Sequence, residues 1–503
     1  MTTPGSLETE QKYDVDTATP LPALLEIPGV DRVAEPVEAQ LEAVYFDTET
    51  LALAARGITL RRRTGGTDHG WHLKIPVGPD QRQELQAPLG QPATVPEELL
   101  HHVLAYTRGE AIRPIARLTT QRTTHRLYGS GGEHLADFVD DHVHAEALEP
   151  PRPGMDWREW EIELVHGTGT LFAVAAETLT GAGASRSQHG SKLARALGDS
   201  FPSGQAAPAG KAQKDGPAAD VVTSYVGGQI NELLSLYPGV RLEEPDAVHQ
   251  MRSATRRIRS ALATYRGLFN KAAVTRIEDE LRWLARLLGV PRDAEVMRER
   301  LRQHIHELPA EDMPGSVLES IEHELGTVYD SGYKAALQAL ATDRYYRLLD
   351  DLEDFRDHPP ATSLASRSAR KVTAKLVDNA VKRLRRAQKA AANSGKGDAR
   401  DAALHQVRKD AKRLRHAAES VTGIHGKRAV KLAAAAQQLQ KILGDHQDSV
   451  VARALLLRLG ADPSLPSAAA LAFNALRTVE ERIAADAEAN YRKARKKARG
   501  IRL

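Results

Sequence analysis

The apolar residues of this chain change period once, across a single Gly-, Pro- and Ala-rich stretch, and that change limits the fold to separately packed units. The stretch is GDSFPSGQAAPAGKAQKDGPAAD, from Gly198 to Asp220. It holds almost nothing that could enter a core, so residues 199–217 are predicted to be a flexible linker. Before it, short segments alternate with period two and are broken by Gly and Pro: LETEQKYDV, EAVYFDT, GITLRRRT, GWHLKIPV, PIARLTTQRTTHRLY, EHLADFVDDHVHAEAL and WREWEIELVHG. These predict a strand-rich domain over 5–198. After it, long Ala/Leu/Arg-rich stretches such as DAVHQMRSATRRIRSALATYRGLF and AALHQVRKDAKRLRHAAESV have helical spacing and predict an all-helical domain over 218–500. The fold class is an α+β multidomain chain.

The helical half contains a duplication. His249, Arg252, Arg256, Arg257 and Arg259 recur with the same spacing as His405, Arg408, Lys412, Arg413 and Arg415. Each set is followed by a Leu-Gly-x-x-x-Asp segment, ending at Asp293 in the first copy and Asp448 in the second. Two repeats are expected, about 218–350 and 360–500, forming a duplicated bundle. His249, Arg252, Arg256 and Arg259, at i, i+3, i+7 and i+10, share one helical stripe, and His405, Arg408, Lys412 and Arg415 repeat it. Two cationic stripes brought together repel unless a polyanion lies between them, so the arrangement favours anion binding.

Charge separates the halves further. Residues 1–200 carry 18 Lys and Arg against 29 Asp and Glu, a net −11, whereas 201–503 carry 51 against 37, a net +14. The second half calls for an anionic partner. With no cysteine in the chain, thiolate metal sites, disulfides and a cysteine nucleophile are excluded, and a metal would sit on oxygen or imidazole. No stretch approaches the roughly 18 apolar residues of a membrane span, and MTTPGSLETEQ lacks the basic start and apolar run of a signal peptide. A soluble, cytoplasmic protein without membrane contact is expected.

In the first half, residues two apart on a strand share a face. Glu8, Glu10 and Lys12 share one; Glu159, Glu161 and Glu163 share another, with Trp160 and Ile162 opposite; Arg61 and Arg63 pair up, as do His72 and Lys74. Packed inward, such faces put acidic and basic rings inside a closed sheet, tolerable only in a wet interior that holds ions. Clustered carboxylates suit Mg²⁺ or Mn²⁺ and clustered Lys/Arg suit phosphate oxygens, so together they fit a metal–triphosphate complex.

Several ordered motifs carry a resemblance. Glu8-x-Glu10-x-Lys12, VYFDTETLALAARGITLRRR, WHLKIP, the WEIEL strand and SKLARAL resemble the CYTH family, the triphosphate tunnel metalloenzymes, over roughly 5–198. The resemblance implies an eight-stranded antiparallel β tunnel. It implies a catalytic group of Glu8, Glu10 and Lys12 and metal ligation by Glu8, Glu10, Glu161 and Glu163, with Asp140 as a further acid and Asp141 the alternative. It also implies that Lys12, Arg61, Arg63, Lys74, Arg122 and Lys192 hold the triphosphate; Thr120 stands where a second basic residue is common in the family. VHQMRSATRRIRSAL and LHQVRKDAKRLRHAAE resemble the CHAD family, the conserved-histidine α-helical domain, over roughly 218–500. This implies polyphosphate binding by the two basic stripes, with the histidines as donors that strengthen when protonated. The expected function is a Mg²⁺- or Mn²⁺-dependent hydrolase of inorganic or related triphosphate with a polyphosphate-binding module. The alternative is a non-catalytic polyphosphate-binding protein directed to polyphosphate granules. Nucleic acid is the less favoured polyanion, because aromatic residues make up only 5% of the chain and no recognised motif interleaves them with the basic runs.

Overall fold

The computed structural model describes residues 5–78, 80–148, 151–202, 213–309, 313–498, 500 and 503. The chain divides into two compact units, 1–207 and 208–503. Residues 203–212 of the predicted linker lie outside the described residues.

The first unit is built from strands β1 (Ser6–Val15), β2 (Arg32–Val33), β3 (Val37–Asp47), β4 (Thr59–Thr64), β5 (Gly70–Gly78), β6 (Gln81–Ala87), β7 (Arg113–Tyr128), β8 (His134–Ala147), β9 (Met155–Leu164) and β10 (Ser185–Arg186). Eight of them form a closed antiparallel barrel in the order β1-β6-β5-β4-β3-β7-β8-β9, while β2 and β10 pair with β7 and β1. Strand β1 closes the ring by dividing its pairing: residues 6–9 bond to β6 and residues 10–15 to β9. Alternation does the rest. On β9 the apolar face, with Trp160 and Ile162 fully buried, packs with Tyr13, Phe138 and helix α1 (Thr170–Gly181) into one outer core. Burial of a Trp-sized side chain there removes on the order of 150–250 Å² from water. A second core lies on the inward faces: Tyr45, Leu118, Val143 and Trp157, in phase with Arg61, Arg122, Asp141 and Glu159, pack on the short helix α2 (Lys192–Leu197) and fill part of the barrel interior. The charged residues of β1, β4, β5 and β9 point into the remainder of the interior.

Strand β6 is not among the sequence-predicted segments. Its sequence QRQELQA has only Leu85 as a large apolar residue, so no alternating apolar signal marks it. The loop after β3 is organised by Asp47, whose fully buried carboxylate accepts from the backbone N–H groups of Thr48, Leu53 and Ala54 at 2.7, 2.9 and 2.8 Å. That fixes the return into β4 and so the positions of Arg61 and Arg63.

The second unit is helical: α3 (Ala218–Ser235), α4 (Ala247–Tyr265), α5 (Lys271–Leu287), α6 (Gly289–Glu307), α7 (Gly315–Ala339), α8 (Asp343–Asp357), α9 (Ala369–Asn393), α10 (Asp398–Glu419), α11 (Lys427–Leu459) and α12 (Ser467–Lys497), with shorter turns between. The duplication is visible in this order. Helix α9 repeats α3, α10 repeats α4, the long α11 spans the equivalents of α5 and α6, and α12 repeats α7. The copies meet where α4 packs on α10. Tyr265 of α4 donates to the Ala417 carbonyl at 3.1 Å, and Arg300 of α6 forms a bidentate pair with the buried Glu480 of α12 at 2.9 and 2.7 Å. No helix among the described residues is long and apolar enough to cross a membrane.

Candidate functional site

Antiparallel register places the charged residues of the barrel opposite one another. Glu10 faces Glu163 and Lys12 faces Glu161 across β1–β9; Lys74 faces Glu84 across β5–β6; Arg122 faces Asp141 across β7–β8. Residues directly opposite share a sheet face, so all of these line the interior, joined by Arg61 and Arg63 from β4. Lys192 enters from α2, whose Ser191 caps the helix by accepting from the Ala194 N–H at 3.1 Å. The structure therefore brings together Glu8, Glu10, Lys12, Arg61, Arg63, Lys74, Arg122, Glu161, Glu163 and Lys192 around one cavity of about 80 Å³, which Tyr45, Thr59, Asp68, Arg82, Glu84 and Ser191 also line.

Asp140 does not join them. It sits opposite Trp160, on the outer face, and is held by Arg158 through two 2.8 Å bonds. Asp141, opposite Glu159, is the inward acid of the pair. Strand parity therefore takes Asp140, the acid expected in the tunnel, out of it, and puts the alternative, Asp141, inside. Glu159 was seen to share the face of Glu161 and Glu163 but was not counted among the ligands; with Asp141 and Glu161 it forms a buried trio whose oxygens lie within 4.8 Å of one another. Arg82 and Glu84 were missed because β6 carried no strand signal.

The cations and carboxylates are not evenly matched. The Lys192 ammonium contacts Asp141, Glu159 and Glu161 at 2.9, 2.6 and 2.8 Å. Arg122 adds 2.8 and 2.6 Å bonds to Asp141 and a 3.1 Å bond to Glu161, and Lys12 bonds Glu161 as well. This trio is thus already counter-charged: despite burial, Lys12, Lys192 and Arg122 hold Glu161 well below the usual carboxylate range. Burial likewise opposes ionisation of Glu10, yet Lys12 brings it down to about 2. Around Glu8 and Glu163 the balance tips toward negative charge. One Glu8 oxygen meets Lys74 at 2.5 Å, while the other, Oε2, is buried without a partner. Burial, then Glu8, pushes Glu163 up to about 7. On the β4 wall the excess is positive. Arg61 has the Tyr45 hydroxyl at 3.3 Å, and Arg63 is pushed down to about 9 by burial and by Arg61 and Arg122, although Asp68 pairs with it at the rim. His72 falls to about 4 through burial and donates from Nδ1 to Glu84 at 2.7 Å. A carboxylate-rich corner thus adjoins a cation-rich wall.

The unpartnered Glu8 oxygen and the crowding of Glu8, Glu10 and Glu163 fit a hard divalent cation, which takes oxygen donors and supplies the missing positive charge. The trio beside Lys192 is a second oxygen-donor set, with its charge already offset.

In the helical unit, α4 and α10 cross with their basic stripes facing. All ten basic or histidine residues of the duplicated motif are half-buried. Arg252 makes a bidentate pair with Asp293 at 2.7 and 3.1 Å. A Cβ at Gly289 would stand 3.2 Å from the Arg252 guanidinium, and one at Gly444 3.7 Å from that of Arg408. The glycine of the Leu-Gly-x-x-x-Asp segment thus admits the close approach of Arg252 in the first copy, while in the second the contact with Arg408 is an ordinary one. Between these two arginines lie Arg256 and Lys412, neither of which has an ion-pair partner among the described residues. Burial, then Arg252 and Arg408, lowers Arg256 to about 10. Burial, then Arg256, Arg408 and Arg252, lowers Lys412 from the ordinary 10.5 to about 6. The flanking members separate: Arg257 bonds Gln229 at 3.4 Å, Arg415 pairs with Glu419 at 2.7 Å, Arg259 is lowered by burial and then Arg282, and Arg413 by burial and then Arg383. His249 and His405 both fall below the ordinary histidine value, through burial first and then Arg292 and Lys409 respectively. Protonation, which would strengthen the histidines as donors, is thus opposed by burial and the surrounding cations.

Residues 6–197 match the CYTH domain family and residues 224–457 the CHAD domain family. An uncharacterized protein of Mycobacterium tuberculosis, Rv2226, is 43% identical over 469 residues, covering 90% of this chain and 88% of that protein. Among solved structures, PptA from Streptomyces chartreusis is 23% identical over 56% of this chain and 99% of its own, with a TM-score of 0.47. The CHAD domain from the plant Ricinus communis is 25% identical over 59% and 98%, with a TM-score of 0.46. The closed charged barrel followed by the duplicated basic bundle thus places this chain among the CYTH–CHAD proteins.

Proposed function

We propose that the barrel is a divalent-metal-dependent hydrolase of inorganic triphosphate or a related triphosphate, and that the helical unit binds inorganic polyphosphate. The observation that carries the first part is the charge separation inside the barrel: the under-compensated Glu8/Glu163 corner beside the Arg61/Arg63 wall. Glu8, Glu10 and Glu163 would hold a Mg²⁺ or Mn²⁺ ion, which neutralises developing phosphate charge when bound. Arg61, Arg63, Lys74 and Arg122 hold phosphate oxygens, exchanging their present partners for the substrate. Lys12, between Glu10 and Glu161, orients the acids and neutralises charge on the phosphate nearest them. Lys192 counter-charges and fixes the Asp141/Glu159/Glu161 trio, a set of acceptors able to orient an attacking water.

The second part rests on the Arg252/Arg256/Arg408/Lys412 cluster, in which Arg256 and Lys412, both half-buried, form no ion pair among the described residues. A polyphosphate chain lying along the α4–α10 crossing would supply the missing negative charge, and granule association follows if that binding persists in cells. Phosphate release from tripolyphosphate with and without divalent ions tests the barrel; titration with long-chain polyphosphate tests the bundle. A barrel without release joined to a bundle that binds would favour the non-catalytic reading.

A further inference from the structure

The two copies of the helical repeat differ in one covering element. In the first copy, α8 lies on the face made by α3 and α5. It is amphipathic and acidic: Tyr345, Leu348, Leu349 and Leu352 are buried, while Asp350 and Asp354 are exposed. The Tyr345 ring stacks on Tyr237 with centroids 6.2 Å apart. Arg344 donates to Glu280 at 2.6 Å and lies 4.3 Å from the Trp283 ring centre, and Asp351 pairs with Arg276 at 2.7 Å.

In the second copy the same face is made by α9 and α11. Ala218 corresponds to Ala369 and Gly289 to Gly444, which puts Leu384 at Leu233, Arg385 at Leu234, Gln388 at Tyr237, Ala435 at Glu280 and Ala436 at Leu281. Among the described residues no helix equivalent to α8 covers this face. In its place is a cavity of about 350 Å³, with Leu384, Leu414, Leu432, Ala436 and Leu439 in its walls and Arg385 and Arg495 lining it. Its volume is within the range that receives large side chains or small ligands.

We infer that this cavity is a docking site for an acidic amphipathic helix of another protein. The duplication supplies the shape argument: the equivalent pair of helices is covered by a helix in the first copy, and the second keeps apolar residues at Leu384, Leu432, Ala436 and Leu439 while Arg385 and Gln388 stand at Leu234 and Tyr237. Charge supplies the specificity. Glu280, which receives Arg344 of α8, is replaced by Ala435, and Arg495 lines the same cavity. The first copy thus accepts a basic residue at the edge of the covering helix, whereas the second favours an acid there. An occupant needs large apolar residues at i, i+3 and i+4 to enter the cavity and carboxylates flanking them.

The test uses a labelled synthetic peptide with the sequence of α8, residues 343–357, and the same peptide with Arg344→Glu, titrated with the full-length protein by fluorescence anisotropy. Saturable one-to-one binding is expected, about two- to fivefold tighter for the Arg344→Glu peptide, the gain of a rim ion pair. Ala436→Trp in the protein, which fills the cavity, reduces that binding at least about tenfold, and Arg495→Glu reverses the preference between the two peptides. Leu439→Gln serves as a second cavity variant, and retained helical circular dichroism and polyphosphate binding certify each protein. The inference is overturned if neither peptide binds saturably at concentrations of about 1 mM. It is equally overturned if binding is unchanged by both cavity variants, or is displaced by polyphosphate, which would place the peptide on the basic cluster instead.

Discussion

Replacing Lys412 by arginine should flatten the pH dependence of polyphosphate binding. Lys412 stands in the α4–α10 crossing with Arg252 and Arg256 from α4 and Arg408 and Arg415 from its own helix, and its amine is lowered to about 6. His249, His405, Asp293 and Asp448 border the same crossing. In the free protein about half of the molecules carry a proton on Lys412 at pH 6 and about one in a hundred at pH 8. A bound polyanion favours the ammonium, so binding takes up a proton, and affinity falls by up to about 50-fold across those two pH units. Arginine stays charged throughout, so Lys412→Arg removes this proton while leaving the histidines and the ligand's own titration in place. Calorimetric titration at constant ionic strength, in two buffers of different ionisation heat, counts the protons. Uptake of about 0.9 proton per site at pH 7 for the native protein and none from this group in the variant is expected; equal uptake by both would refute the reasoning. Stability runs the opposite way: a base lowered in the folded state is charged only in the unfolded chain between pH 6 and 10.5, so folding gains as pH rises through that window.

Further outcomes follow from single contacts. Lys192→Met leaves Asp141, Glu159 and Glu161 buried without their shared ammonium and should destabilise the barrel by about 3–5 kcal/mol, with part of the loss restored by millimolar Mg²⁺ in a thermal melt. Asp141→Asn should lower metal-dependent phosphate release at least about tenfold, whereas Asp140→Asn, which loosens Arg158 on the outer face, should change the melting temperature and leave the metal dependence of release unchanged. Trp160→Ala should destabilise the protein by about 3–5 kcal/mol in denaturant unfolding through the cavity left beneath α1. Gly332→Ala sets a Cβ 2.6 Å from Val290 Cγ1 where α6 meets α7, and should destabilise the bundle by about 1–3 kcal/mol.

The charged part of the barrel interior could be read from period-two faces, because the segments around Glu8–Lys12, Arg61–Arg63, His72–Lys74 and Glu159–Glu163 put their charges on one face. Asp140 and Asp141 could not be separated that way. FVDDHV offers an acid in both phases, and Arg158 gives the outer face a cation of its own, so only the pairing of Asp141 with Glu159 decides parity. Strand β6 was silent because its outward positions are largely polar, which hid Arg82 and Glu84. In the bundle, spacing along one helix placed Arg252, Arg256, Arg408 and Lys412 on shared stripes, but the division of the motif into a central cluster and separately partnered flanks depends on the crossing of α4 and α10, which is tertiary. The lowered histidines have the same origin: their cationic neighbours include residues outside their own helix turn, such as Arg292.

The most direct test of the account is phosphate release from tripolyphosphate with Mg²⁺ or Mn²⁺, comparing the native protein with a Glu8→Gln/Glu10→Gln variant of verified fold. Release that requires the metal and is lost in the variant is the expected result. Release that persists in the variant, or is absent from the native protein with either metal, would contradict the reading of the barrel as a metal-dependent triphosphatase.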